Sequence, residues 1–425
     1  MTEDFLHYVW KFRLFDMNDL KTDEGEDLMI VKTGEHNSHA GADFFNSKIK
    51  IGTTLWAGNV EIHLQTDDWN KHNHQHDKAY NNVILHVVYD SDSSAIIIDK
   101  RLIPVLELKG KIKRKIWDNY EELIENKDWI PCEKQIKTVD RFTIDNWLER
   151  ILIERLERKT GEILTSLNQN NNNWEETFYR YLAKNFGYKI NALPFELLAK
   201  SIPNSILAKH KDNINQIEAL LFGQAGMLND DLNDEYYNRL KKEYEFLKHK
   251  HNLLPIDESL WKFLRLRPVG FPSVRIAQFA QLINHSSHLF SKVLEVRSTL
   301  ELSKLFNVAT SDYWDEHYTF GKNSVTKSKH LGKDFINNII INTIVPFLFV
   351  YGKKKGENKQ ADKAFRFLEE LAPEKNSILT KWKEIGIVAK NSYQSQALLE
   401  LKNEYCLPKK CLTCSIGNKI LNRHE

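Results

Sequence analysis

The spacing of hydrophobic residues changes near residue 130, and this change constrains the fold more than any other feature of the sequence. Before it, short runs rich in β-branched and aromatic residues are separated by Gly, Asn, Asp and Ser, as in a sheet with tight connections. After residue 140, almost every apolar stretch repeats with the period of a helix. We therefore predict an α+β protein with a mixed α/β domain over residues 1–130 and an α-helical domain over residues 131–425.

The first domain is predicted to begin with a helix, residues 4–15, and to continue as a sheet. Residues 83–89, Val-Ile-Leu-His-Val-Val-Tyr, are mostly apolar at consecutive positions. Because neighbouring side chains of a strand point to opposite faces, such a run is typical of a central strand that is covered on both sides. The predicted strands are 28–31, 48–51, 58–64, 82–89 and 95–98.

The second domain is predicted from apolar stripes at helical spacing. In residues 141–158 the stripe consists of Ile144, Trp147, Leu148, Ile151, Leu152 and Leu156, which share one face of a helix. The asparagine-rich residues 168–173 are predicted to form the loop that follows. Further stripes predict helices within 174–186, 195–199, 214–221, 231–247, 274–283, 335–350 and 361–371.

Composition and charge exclude several classes of protein. With 41% hydrophobic and 28% charged residues, the chain is neither disordered nor collagen-like. The formal net charge is only +2, so a nucleic-acid partner must bind a local basic patch. The longest apolar stretch, 339–350, is shorter than the roughly 20 residues of a membrane span. The first residues lack the pattern of a secretion signal, so we expect a cytoplasmic protein without a membrane partner.

Histidines are concentrated in the first domain, where seven of the 16 lie between His36 and His86. The predicted strand 58–64 contains Glu61 and His63, which point to the same face because side chains alternate along a strand. The other face carries apolar residues and is predicted to be buried. One acid and one base therefore share a polar face within a β-rich region.

A hairpin would bring a second carboxylate to this face. If the chain turns near residues 52–54, the pairing places Asp43 opposite His63 and beside Glu61. Two carboxylates and an imidazole predict a site for Mg²⁺ or Mn²⁺, with Asp43 and Glu61 as ligands. Such an ion can activate water and stabilise the charge that develops on a phosphate, and His63 can position or deprotonate the water.

These residues resemble the core of the PD-(D/E)XK nucleases. The resemblance is carried by Gly41-Ala42-Asp43, by Glu61-Ile62-His63, and by the buried strand after them. It implies an α-β-β-β-α-β arrangement in which the Asp and Glu bind a divalent metal and a Lys polarises the attacking water. Ala42 stands in place of the family's Pro and His63 in place of its Lys. A neutral imidazole can act as a base or a ligand but does not supply a fixed positive charge.

Nearly the whole chain also resembles a bacterial family of similar length and unknown function. The segments that carry this resemblance are 41–44, 56–63, 68–80, 83–88, 266–278 and 406–417. The resemblance supports the domain layout and implies no activity.

The histidines that follow Glu61 allow two interpretations. If residues 67–77 form a helix, Trp69, His72 and His76 share one face, and His72 or His76 can reach a phosphate beside the metal. Alternatively, His72, His74 and His76 bind Zn²⁺ or Fe²⁺ themselves from an extended loop. His86 is predicted to be a hydrogen-bonded core histidine, and Trp69, like Trp56, to be a packing residue.

The four cysteines predict a second metal centre. Cys406, Cys411 and Cys414 are spaced closely at the end of the chain, and Cys132 follows the first domain. Four thiolates suit an iron–sulfur cluster or Zn²⁺, which would close a long loop of the chain. The alternative is three reduced thiols near a basic tail, without a metal.

Basic residues in several places can contact a nucleic acid, although each is also typical of an ordinary solvated surface. The segment that contains Arg267 and Arg275 also fits a structural turn between two prolines. The residues predicted to contact phosphate are Lys71, Lys113, Arg114, Arg267 and Arg275.

Three hypotheses for function follow from these patterns. The first is a divalent-metal-dependent nuclease acting on DNA or RNA through Asp43, Glu61 and His63. The second is a nuclease-like module that binds nucleic acid or protein and has lost catalysis with the lysine. The third is a histidine-rich metalloenzyme with a different substrate, which uses His72 and His74 as ligands.

Overall fold

The computed structural model describes residues 1–37, 39–92, 96–98, 101–286 and 288–423. The chain divides into two units, and the first is built from both ends of the sequence. Unit 1 comprises Met1–Trp147 and Leu401–Glu425, and unit 2 comprises Leu148–Glu400. The C-terminal segment therefore belongs with the β-rich residues and not with the helical ones, which differs from the predicted division at residue 130. The reason is its packing, because Asn422 and Leu421 hydrogen-bond to residues of the N-terminal segment.

Unit 1 is organised around one mixed sheet. The elements of unit 1 are α1 Glu3–Lys11, β1 Leu28–Lys32, β2 Glu35–His36, β3 Phe44–Ile51, β4 Thr54–Gln65, α2 Asp68–Lys71, β5 Val83–Asp90, β6 Ile97–Ile98, β7 Arg101–Leu102, β8 Val105–Glu107 and α3 Arg114–Glu125. The order of the strands in the sheet is β1-β3-β4-β5-β8, with β2 paired to β3. Strand β3 is antiparallel to both of its neighbours β1 and β4, whereas β4, β5 and β8 run parallel to one another.

Two glycines allow the central strands to meet closely. Gly52, with φ at +56°, forms the turn between β3 and β4, where a side chain would be strained. A Cβ atom at Gly58 would lie 2.4 Å from Cγ2 of Ile84, so only glycine lets β4 approach β5 at this point. The predicted central strand is confirmed, because Val83–Val88 are all buried. Residue 95, the start of the last predicted strand, lies outside the described residues.

Unit 2 is helical, as predicted. Helix α4, Arg141–Gln169, begins in unit 1 and continues into unit 2, and Asn173 caps the next helix with its side chain, which confirms the predicted loop. The remaining elements are α5 Trp174–Phe186, α6 Ala192–Ser201, α7 Asn204–Lys209, α8 Ile214–Gln224, α9 Glu235–His251, α10 Pro272–His285, α11 Leu289–Glu295, α12 Thr299–Leu305, β9 His317–Thr319, β10 Lys322–Asn323, α13 Lys333–Ile339, α14 Val345–Lys355, α15 Asn358–Glu370, α16 Ser377–Glu384 and α17 Ser392–Glu400, and α18 Ser415–Leu421 returns to unit 1.

One helical stretch among the described residues, Lys333–Lys355, has the length and composition of a membrane span. Of its most apolar window, 78% is buried inside the protein. It consists of α13, a π-helical turn Ile340–Ile344 and α14. Such burial is typical of a core helix.

Candidate metal centre

Strand β4 places Glu61 and His63 side by side in the interior of unit 1. The two side chains share one face of the strand, and His63 Nε2 lies 3.6 Å from Glu61 Oε1. Only 4% of Glu61 and 2% of His63 is exposed, because β3 and β5 flank this strand and the following loop covers it. Burying a charged carboxylate or imidazole costs free energy, unless a partner or a bound ion neutralises the charge or the group becomes uncharged.

The β3–β4 hairpin brings Asp43 to this pair, although in a different register from the predicted one. Phe44 pairs with Val60, and a bulge at Asn46, where φ is +55°, shifts the alignment. Asp43 consequently lies beside Glu61 and not opposite His63. Its backbone N–H donates to Glu61 Oε2 at 3.0 Å, and its Oδ2 accepts the N–H of Ile62 at 2.9 Å.

The segment after β4 is not the continuous helix that one interpretation predicts. Helix α2 ends at Lys71 because Asn73 adopts a left-handed conformation with φ at +61°, and a 3₁₀ turn follows. This break turns both His72 and His74 towards His63. His76 is exposed and does not join them. The predicted sharing of one helix face by His72 and His76 is therefore wrong.

His63, His72 and His74 form a group in which one nitrogen of each ring lies within 4.8 Å of the others. His72 Nδ1 is 3.1 Å from His63 Nε2, and His74 Nε2 is 3.4 Å from Glu61 Oε1. Two ligand atoms that are each about 2.1 Å from a metal ion lie about 3.0 Å apart at a right angle and about 3.4 Å apart at the tetrahedral angle. The three imidazoles thus come close to the spacing of a single coordination shell, and Glu61 lies beside two of them.

His86 and two aromatic side chains hold the histidine rings in place. His63 Nδ1 and His86 Nε2 share a hydrogen bond of 2.8 Å, which directs the other nitrogen of His63 towards His72 and Glu61. Tyr80 stacks on the His74 ring with centroids 3.9 Å apart. The buried Trp69 contacts the His63 ring and the His74 ring edge-on. The predictions of a core role for His86 and a packing role for Trp69 are confirmed.

Helix α1 adds two residues that the sequence patterns did not single out. His7 Nε2 lies 3.1 Å from Asp43 Oδ2, and Glu3 lies close enough to His72 and Asp43 for their charges to act on its pKa. The two are spaced i, i+4, so they share a face of a helix whose other residues are largely buried. That polar pair at i, i+4, beside the buried apolar face of the helix, is the signal that could have identified them.

Burial sets the charge of the site in the metal-free protein. It raises the pKa of Glu61 to about 9, with a further contribution from the charge of Asp43. It lowers the pKa of His63 to about 3, reinforced by His86, His74 and His72, and it also lowers the pKa of His74. The neutral imidazole is the form that binds a metal, so two of the three rings are held in that form.

A second acid–base pair lies at the edge of the group. Burial alone would lower the pKa of His7, but the hydrogen bond and charge of Asp43 outweigh it and raise the pKa above its ordinary value. His7 and Asp43 are partly exposed, with 17% and 21% of their side chains accessible. Unlike Glu61, these two side chains are partly accessible to solvent.

The predicted phosphate-contacting residues are divided between the two units. Lys113 and Arg114 line a cavity of about 1060 Å³ in unit 1, together with Lys111, Tyr89 and Trp117. Lys71 is paired with Asp68 at 2.9 Å. Arg267 and Arg275 belong to unit 2, where the Arg275 guanidinium lies 3.8 Å from the Phe335 ring centre and burial lowers its pKa to about 10.

The four cysteines all belong to unit 1. All four are free thiols, and they line the same small cavity. Their arrangement is described in detail below.

Comparison with known proteins identifies a family but no activity. Residues 3–377 match the model of the family described as "Protein of unknown function (DUF2851)", and the chain therefore belongs to that family. The chain matches no curated protein and no solved structure.

Proposed function

We propose that this member of the DUF2851 family is a metal-dependent hydrolase of phosphodiester bonds, with DNA or RNA as its substrate. In this proposal His63, His72 and His74 hold one divalent ion together with Glu61. The observation that carries it is that one nitrogen of each of the three rings lies within 4.8 Å of the others, while Glu61 Oε1 lies 3.4 Å from His74 and 3.6 Å from His63. His63 and Glu61 are buried, His74 is half-buried, and His72 is exposed.

The ligand set favours Zn²⁺, Fe²⁺ or Mn²⁺ over Mg²⁺. Imidazole suits these transition metals, whereas Mg²⁺ prefers carboxylate and water oxygens. Asp43 is better suited to a second role, because its Oδ2 already receives the N–H of Ile62 and faces His7. We assign Asp43 and His7 to positioning a water molecule and moving its proton, beside a metal that lowers the pKa of that water.

Two features support a phosphodiester as the substrate. The order α1, β1, β3, β4, α2, β5 matches the α-β-β-β-α-β arrangement implied by the resemblance to PD-(D/E)XK nucleases, apart from the short β2. The cavity lined by Lys111, Lys113 and Arg114 offers cations within the same unit, and Tyr89 in its wall follows Val88, which pairs with His63. Cations that contact phosphate oxygens can position such a substrate.

The test measures metal content and cleavage in parallel. Metal should be bound stoichiometrically by the purified protein, and chelation followed by addition of Zn²⁺, Mn²⁺ or Mg²⁺ should show which ion restores cleavage of labelled single- and double-stranded DNA and RNA. H74A should lose both metal and cleavage. H76A is the matched control, since its exposed ring lies two residues away and outside the group. Unchanged metal content in H74A would refute the site.

D43N separates the two roles. We expect it to keep the metal and to lower the cleavage rate by about 10²- to 10⁴-fold, the usual contribution of a general acid or base. Loss of metal in D43N would instead make Asp43 a ligand. If metal binds as proposed but no phosphodiester is cleaved under any condition, the hydrolase assignment is wrong.

A non-catalytic binding module is the second candidate. It is favoured by His63 at the position where the resembling nucleases have a lysine, since no fixed positive charge replaces it there. Salt-sensitive binding of nucleic acid without cleavage would support this candidate.

A further inference from the structure

The four cysteines of the chain surround one cavity, although they come from distant parts of the sequence. Cys132 lies between α3 and α4, whereas Cys406 ends the π-helical turn Leu401–Cys406, and Cys411 and Cys414 follow it. The cavity is also lined by Pro131, Tyr405, Lys410 and Gly417. All of these residues belong to unit 1. The cavity thus joins the two separate segments from which unit 1 is made.

The thiols are buried in a way that does not suit redox or nucleophilic chemistry. Cys132, Cys411 and Cys414 are each less than a tenth exposed. Burial raises the pKa of all four thiols, to about 12 for Cys411, and for Cys132 and Cys406 the neighbouring cysteines raise it further. A thiol of raised pKa reacts slowly, because the thiolate is the nucleophile.

Hydrogen-bond donors around Cys414 partly offset the effect of its burial. Although burial raises its pKa, the backbone N–H groups of Gly417 and Ile416 and the side chain of Trp147 act in the opposite direction. N–H groups directed at a sulfur atom stabilise the charge that remains on a metal-bound thiolate.

Gly417 allows two of the ligand-bearing segments to touch. A Cβ atom at this position would lie 2.2 Å from the backbone oxygen of Cys411. Any larger residue would therefore push Cys411 away from the start of α18. Glycine is required here for the same close approach that brings the sulfurs of Cys411 and Cys414 to one cavity.

The separation of the thiols distinguishes between types of centre. A single tetrahedral Zn²⁺ holds its thiolates about 3.8 Å apart, since each Zn–S bond is about 2.3 Å. Among the described residues, three histidines form a group whose ligand atoms all lie within 4.8 Å of one another. No group that meets this distance contains a thiol of the cysteines. The cysteines therefore face one cavity at a wider spacing, as ligands do when irons and sulfides lie between them.

We propose that Cys132, Cys406, Cys411 and Cys414 ligate an iron–sulfur cluster that fastens residues 401–425 to the N-terminal segment of unit 1. The cluster has a structural role, since it joins two segments that are far apart in sequence and its ligands are separate from the histidine group. The proposal does not depend on the proposed hydrolase activity. It concerns a second centre with different ligands and a different metal.

The test uses the full chain, expressed and purified without oxygen. Iron and acid-labile sulfide should be present together with visible absorption, and C132S and C414S should each lose them. T413A is the matched control, because Thr413 is exposed and adjacent to Cys414, and it should keep the cluster. H74A should also keep the acid-labile sulfide and the visible absorption, which separates this centre from the histidine site. Zinc without sulfide, or no metal, would overturn the proposal.

A second measurement covers the case in which the serine variants do not fold. Removal of iron from the wild-type protein by a chelator should increase hydrogen exchange in 401–423 and around Cys132, while β8 keeps its protection. G417A, which displaces Cys411 without removing a ligand, should lower the iron content. Unchanged exchange in 401–423 after complete loss of iron would refute the structural role.

Discussion

Replacing Glu61 by glutamine should stabilise the metal-free protein at neutral pH, although it removes a ligand of the proposed centre. Glu61 is buried beside Asp43, and both features raise its pKa to about 9 from an ordinary value of 4.5. Glutamine has nearly the same shape and can still accept the N–H of Asp43 through its amide oxygen. It has no proton to take up on folding.

The size of the effect follows from the two pKa values. Below pH 4.5 the glutamic acid is protonated in both the folded and the unfolded protein, and the two proteins should be similarly stable. Between pH 4.5 and 9 the unfolded chain is ionised while the folded protein holds the proton, so the stability of the wild type falls as the pH rises. At pH 7 the cost is about 3 kcal/mol, from about 1.4 kcal/mol per pH unit. Screening reduces it little, since only 5% of the side chain is exposed.

The assay compares urea unfolding of wild type and E61Q in the presence of a chelator, from about pH 5 to about pH 9. Hydrogen exchange of β4 gives a local measure of the same difference, because unfolding of two units need not be a single transition. E24Q is a suitable control, since Glu24 is exposed. Added metal should then stabilise the wild type and leave E61Q unchanged.

The reasoning would be refuted by either of two results. One is a variant that is less stable than the wild type at pH 7, which would mean that the carboxylate stabilises the folded protein without a metal. The other is an equal dependence on pH in both proteins, which would place the buried proton on another group.

Three further predictions concern single residues. H86F removes the partner of His63 Nδ1 and should weaken metal binding about 10- to 100-fold in a competition titration; unchanged affinity would show that His86 does not orient the ligand. N73V forces a β-branched residue to φ +61°, which should lower the free energy of unfolding by about 1 to 2 kcal/mol in thermal unfolding and release the metal. N73G should keep the metal, and equal metal binding by the two variants would contradict the role of this turn. Burial raises the pKa of Glu218 to about 7, so wild-type stability should fall between pH 4.5 and 7, and E218Q should be more stable by about 3 kcal/mol at pH 8 and lack that fall; an unchanged pH profile would refute it.

The regular elements of this fold are predictable because local patterns determine them. The alternation around Glu61 and His63 predicts the shared face of β4, and the run of apolar residues before Tyr89 predicts a central strand. Helix α4 follows from its apolar stripe. In each case, the burial of neighbouring side chains is encoded within a short segment of sequence.

The details of the site depend on features that no such pattern encodes. The register of the hairpin depends on the bulge at Asn46, and the direction of His72 and His74 depends on the left-handed Asn73. These are conformations of single residues, which periodicity does not reveal. The position of His7 beside Asp43 and of Cys132 beside the C-terminal cysteines results from tertiary packing. Sequence spacing alone does not determine which of the histidines and carboxylates lie together in the site.

The division of unit 1 between both ends of the chain has a consequence for synthesis in the cell. A ribosome makes the chain from its first residue to its last, so β4 and the histidine group emerge long before residues 401–425 that complete the same unit. All of unit 2 must be translated in between. Cys132 therefore gains its three partner cysteines only after unit 2 has been translated. A chain that stops before residue 401 contains the strands of the sheet but lacks three of the four cysteines that line the cavity.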